Sequence, residues 1–109
     1  MKKFCLALDL VDDPELIAEY EKYHQNVWPE VKQSILDSGI NNMEIYRAQN
    51  RLFMIIEANE SFSFEAKNEA DKNNSKVQEW EELMWKFQQQ LPNSKYGEKW
   101  QVMDKMFSL

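Results

Sequence analysis

Residues 3–10 place Phe4, Leu6, Leu8 and Leu10 on one side of a strand and Cys5 and Ala7 on the other, and a strand that is apolar on both faces has to be covered twice. Residues 52–58 repeat the pattern, with Leu52, Met54 and Ile56 on one side and Phe53 and Ile55 on the other. Helices packed on one face of such a sheet leave the second face unburied, so another apolar surface has to meet it.

Local signals set the order of the elements around these strands. Asp13 can cap a helix whose first position is Pro14, where a missing N–H costs nothing. Leu16, Ile17, Tyr20, Tyr23 and His24 then form one inward stripe. Pro29 disfavours helical geometry at Trp28 and opens a second helix over residues 29–38, with Val31, Ile35 and Leu36 inward and Gly39 as its stop. Residues 42–48 and 52–58 read as a hairpin joined through Gln49, Asn50 and Arg51. Residues 61–74 are polar, with Phe62, Phe64 and Ala66 as anchors, and predict a short helix in a loosely packed, mobile connection. Ser75 can cap a last helix reaching about Gln90, with Val77, Trp80, Met84, Phe87 and Leu91 on one stripe. Residues 98–107 alternate as a final strand.

The order strand, helices, strand, strand, helices, strand predicts an α+β fold of ferredoxin-like βαββαβ type with an antiparallel sheet. Its 109 residues suit one domain, 1–109, that buries roughly 65% of the surface its unfolded chain exposes. A second copy packed sheet to sheet is the economical cover for the open face, giving a homodimeric α/β barrel.

Composition removes several function classes. Lys and Arg number 13 against 19 Asp and Glu, a net charge of −6 that repels phosphate backbones, so nucleic acid is not an expected partner. Gly39 and Gly97 are the only glycines, too few for a phosphate-binding loop. A lone Cys5 in an apolar run rules out an intrachain disulfide and fits a reducing cytoplasm. No run approaches the roughly 18 apolar residues of a membrane span, so no membrane partner is expected. One histidine and scattered carboxylates lack the clustering that holds a metal, and no metal is expected.

The chemistry concentrates in Tyr20, His24 and Trp28, spaced by four, with His24 the only histidine. On a helix, Tyr20 and His24 share a face. Imidazole, with an unperturbed pKa of about 6.5, is the side chain best suited to proton transfer near neutral pH. The plain alternative is a helix-end histidine satisfied by backbone carbonyls.

The pattern Tyr20-x-x-x-His24-x-x-x-Trp28-Pro29-Glu30, then Gly39, Asn42-Met43-Glu44-Ile45-Tyr46 and Leu52-Phe53-Met54, resembles the L-rhamnose mutarotase family nearly end to end. The resemblance implies a small dimeric α/β-barrel enzyme that interconverts the α and β anomers of a 6-deoxy-L-hexose without metal or cofactor. It implies that His24 is the proton donor and Tyr20 a substrate-binding residue. Met43 stands where the rhamnose enzymes carry a substrate-contacting tyrosine, and Trp80-Glu81 stands where they carry a Trp-Trp pair. Trp28 and Tyr46 are further pocket candidates. The implied substrate is L-rhamnose, with L-fucose the alternative.

Ring opening of a pyranose is acid/base work: a proton reaches the ring oxygen while another leaves the anomeric hydroxyl. His24 is expected to supply the first, with Glu81, Glu44 or water as base, or with His24 serving both directions through alternate tautomers. The rival readings are a cofactor-free or haem-degrading monooxygenase on the same barrel, and a barrel that binds a ligand without turnover.

Overall fold

The computed structural model describes residues 1–95 and 98–109. Its strands are β1 (Lys2–Leu10), β2 (Ile40–Ala48), β3 (Arg51–Ala58), β4 (Gln88–Gln89) and β5 (Gln101–Val102), and its helices are α1 (Pro14–Tyr23), α2 (Pro29–Asp37), α3 (Phe64–Lys72) and α4 (Ser75–Trp85). The sheet runs β2-β3-β1-β4 with β5 also on β1, every pair antiparallel, which is the ferredoxin-like order. Among the described residues no helix is long and apolar enough to cross a membrane.

The early elements follow their local chemistry. Asp13 Oδ1 accepts from the backbone N–H groups of Glu15 and Leu16, so α1 starts at Pro14. Trp28 is extended at φ −57°, ψ 135°, and Pro29 opens α2 beyond it. Gly39 follows α2 at φ +98°, a left-handed conformation that suits glycine, and a Cβ there would meet the Asn59 side-chain amide nitrogen at 2.7 Å.

The second half departs from the sequence reading in four ways. Asn74, not Ser75, caps α4, its side chain accepting from the Val77 N–H. That helix ends at Trp85 rather than near Gln90, because Gln88 and Gln89 leave it to pair with Leu10 and Asp9. The final strand is only Gln101–Val102, not residues 98–107. Gln89 pairs with Asp9 and Gln101 with Ala7, so β4 and β5 meet β1 along one strand lane with only Leu8 between their partners. Finally, α3 is capped by Ser63, and Phe62 and Phe64 pack on Phe4 at ring distances of 5.8 and 4.9 Å. The segment predicted to be loosely packed is thus pinned to β1 by three aromatic rings.

The even-numbered residues of β1 face the helices. Leu10, Tyr20, Val31, Leu52, Trp80, Met84 and Phe87 form one buried cluster, and Leu6, Ile40, Ile56, Ala58 and Phe62 form the other. On the opposite face Cys5 pairs with Ile55 and Ala7 with Phe53, and the Arg51 guanidinium grips the Asp9 carboxylate in two bonds of 2.7 and 3.1 Å. Among the described residues no helix covers that face, and Tyr46 stands 53% exposed there beside Phe53.

Candidate functional site

Between the inner sheet face and the helices lies a cavity of about 590 Å³. Leu6, Ile40, Met54 and Ile56 give it an apolar floor. Tyr20, His24, Met43, Trp80 and Glu81 all line it. A second cavity of about 480 Å³ shares His24, Met43 and Ile45 with the first and runs out past exposed Leu36 and Asn42. The first is of a size usual for small-molecule sites.

His24 is the residue that closes α1. Its Nδ1 lies 2.9 Å from the Tyr20 carbonyl oxygen, which can only accept, so Nδ1 carries the proton and donates. The neutral ring therefore presents Nε2 as a lone pair. Switching tautomers would set that carbonyl against a bare nitrogen and lose this bond. Rings fix the imidazole from two sides: Tyr20 at 4.4 Å and Trp80 at 5.7 Å between centroids.

Tyr20 is 3% exposed. Burial pushes its phenol above the ordinary tyrosine value, against a smaller downward pull from Gln88. The Gln88 side-chain amide donates to the Tyr20 oxygen at 3.3 Å, which leaves the phenolic O–H available as a donor in the cavity. Sequence reasoning missed Gln88, which it assigned to a helix; the structure puts it on β4 and in the cavity wall.

Two predicted residues lie elsewhere. Tyr46 is on the other face of β2 from Met43, its hydroxyl donating to Glu44 at 3.3 Å, and the Glu44 charge and then that bond push its phenol up. Tyr46 and Glu44 are therefore remote from the cavity wall, as alternation along a strand requires. Trp28 does not line the cavity either. It packs edge-on to Trp80 at 5.2 Å with the Lys76 ammonium 5.9 Å from its ring centre, backing Trp80 from behind.

Sequence reasoning also passed over α3. Lys67, Asn68 and Asp71 line the cavity, and Lys67 Nζ donates to Asp71 Oδ2 at 2.6 Å. An i, i+4 charge pair in a polar stretch reads as a solvated face, and only the tertiary structure turns it inward. Lys99 and Trp100 reach the wall from the loop before β5. No three His, Cys, Asp or Glu side chains among the described residues gather closely enough to hold a metal.

Comparison with known proteins supplies a relationship. A family model described as L-rhamnose mutarotase matches residues 3–109. An L-fucose mutarotase of Xanthomonas campestris is 43% identical over 111 residues, spanning 100% of this chain and 89% of that protein. A UPF0734 protein of Dictyostelium discoideum is 42% identical over 99% of this chain and 90% of its own. An L-rhamnose mutarotase of Shigella flexneri is 34% identical over 47 residues, 41% of this chain and 45% of that protein. The crystal structure of an L-rhamnose mutarotase from Formosa agariphila superposes with a TM-score of 0.72 at 21% identity, over 100% of this chain and 99% of that one.

Proposed function

The chain belongs to the L-rhamnose mutarotase family, and from that premise we propose that its 590 Å³ cavity opens and recloses a 6-deoxy-L-hexose ring against Nε2 of His24. The protein is an isomerase that interconverts the α and β anomers of such a sugar. The observation that carries the residue assignment is the bond from His24 Nδ1 to the Tyr20 carbonyl, because it leaves Nε2 as the one basic nitrogen of a residue that lines the cavity.

The steps balance on this chain's own side chains. Nε2 takes the proton of the anomeric hydroxyl as C1 forms a double bond to that oxygen and the bond from C1 to the ring oxygen breaks. The Tyr20 hydroxyl donates a hydrogen bond to the alkoxide developing on the ring oxygen. The imidazolium then gives its Nε2 proton to that oxygen. Both oxygens start on C1, so one nitrogen reaches them in turn. After rotation about C1–C2 the same steps run backwards and close the ring on the other face. His24 is thus base first and proton donor second. Glu81 and Met43 contact the sugar from α4 and β2, and Trp80 forms a flat wall beside the imidazole.

Between the two sugars we assign L-fucose as preferred, on the full-length 43% relationship to an L-fucose mutarotase against a 34% match covering 41% of this chain for an L-rhamnose enzyme. The test is exchange between anomers by saturation-transfer NMR. Saturable acceleration for L-fucose, and weaker acceleration for L-rhamnose, is expected; no acceleration of any 6-deoxyhexose contradicts the assignment.

Residues 1–109 act as one mutarotase domain, paired sheet to sheet with a second copy in the cytoplasm, without nucleic-acid or membrane partners. Support for the pairing comes from the uncovered face with Phe53 and Ile55, and from a C-terminal segment in which Met106 and Phe107 are 94% and 64% exposed. Sedimentation at micromolar concentration is expected to give the mass of a dimer, and a strictly monomeric species contradicts the pairing.

A further inference from the structure

We propose that Lys67 and Asp71 of α3, with Glu81 of α4 beside them, form the subsite that reads the ring hydroxyls away from C1 and so selects among 6-deoxyhexose epimers. The inference rests on the mutarotase reading of the cavity and names the specificity of that same site.

Apart from Ser34 and Lys99, the polar side chains lining the cavity fall into two sets. Tyr20, His24 and Gln88 belong to the end of α1 and to β4, and they account for proton transfer at C1. Lys67, Asn68, Asp71 and Glu81 belong to α3 and α4, and anomer exchange has no proton for them to move. Between the two sets the floor is Leu6, Ile40, Met54 and Ile56, whose apolar surfaces cannot distinguish an axial from an equatorial hydroxyl.

Asp71 is 8% exposed, and one of its carboxylate oxygens takes the Lys67 ammonium at 2.6 Å. Its other oxygen has no partner among the described residues, yet no buried side-chain oxygen or nitrogen there lacks one. That oxygen is therefore accessible to solvent, on a residue that lines the cavity. Lys67 has three N–H donors and spends one on Asp71. A donor and an acceptor side by side fit a hydroxyl, which gives one hydrogen bond and takes another.

The pair is held in place at the start of α3 and across the α3–α4 turn. Ser63 caps α3, and the Gln78 side-chain amide donates both to the Asp71 carbonyl oxygen at 2.9 Å and to Glu81 Oε2 at 3.3 Å. One amide thus ties the two carboxylate-bearing residues together across the turn. Stability alone is a weak reason for such a pair, since taking both charges out of water offsets much of their attraction and apolar replacements of similar volume are often neutral. L-Fucose and L-rhamnose differ in configuration at C2 and C4, so the hydroxyls that such a pair would read point differently in the two sugars.

The experiment compares the protein with a double variant, Lys67→Met with Asp71→Leu, which removes both charges together and leaves none unpaired. Exchange rates for L-fucose and L-rhamnose are measured by saturation transfer, and folding by urea titration. The expected result is a folded variant that still exchanges anomers but whose ratio of kcat/KM for the two sugars moves toward one by about tenfold or more, as loss of hydrogen bonds to charged groups implies. An unchanged ratio, whether both sugars keep their rates or both lose the same factor, overturns the subsite. Absence of exchange in the unaltered protein is a separate outcome that overturns the mutarotase reading itself. A further pair of variants, Asp71→Asn and Lys67→Gln, keeps the test open if the double variant unfolds, with the same shift in ratio expected and the same constancy contradicting it.

Discussion

His24→Ala is expected to reduce catalysed anomer exchange by about 10² to 10⁴, the usual contribution of a positioned acid/base group. The loss should fall on kcat more than on KM, because in the proposed mechanism Nε2 acts on protons in flight while Trp80, Met43 and Glu81 still line the cavity. The fold should survive. His24 is half-buried at the helix end, and its backbone N–H, which approaches the Tyr20 and Glu21 carbonyls at 3.3 and 3.1 Å, is retained in alanine. Saturation-transfer NMR on the folded variant checks this, and an exchange rate equal to that of the unaltered protein contradicts the assignment.

Trp80→Ala carries the largest expected effect on stability. Trp80 is 8% exposed and meets Tyr23, His24 and Trp28 at ring distances of 6.4, 5.7 and 5.2 Å. Removing a buried indole typically costs about 3–5 kcal/mol, a large part of the roughly 5–15 kcal/mol that holds a small domain together. The same substitution frees the outer side of the imidazole and exposes Trp28, so activity should fall further than the folded fraction does. Urea unfolding gives the first number and exchange kinetics in ligand-stabilising sugar the second. A loss below about 1 kcal/mol, far under the range for buried aromatics, contradicts the central place given to this ring.

The first half of the fold was legible because its signals are local. Asp13 and Pro14 start α1, Pro29 starts α2, Gly39 ends it, and each acts through its own backbone geometry. The stripe that puts Tyr20 and His24 on one face is equally local, as is the alternation along β2 that separates Met43 from Tyr46. The end of α4 was not legible. Val77, Trp80, Met84 and Phe87 keep helical spacing through Phe87, and nothing in that spacing shows that Gln88 pairs with Leu10 on β1. Nor can alternation reveal that β4 and β5 pair with β1 along one strand lane, on either side of Leu8. Lys67 and Asp71 were hidden for a related reason: charge pairs at helical spacing are ordinary surface features, and only the packing of α3 over the sheet turns this one into a cavity wall.

The identity of the reacting nitrogen is the centre of the account, and a chain with one histidine allows it to be read without ambiguity. With the imidazole labelled by ¹⁵N, the two-bond and three-bond couplings report which nitrogen carries the proton in the neutral ring. The prediction is a proton on Nδ1, a bare Nε2, and a displacement of the Nε2 resonance by L-fucose that saturates at the same sugar concentrations as the exchange rate. A neutral ring protonated on Nε2, or ring nitrogens unmoved by a sugar that the protein turns over, contradicts it.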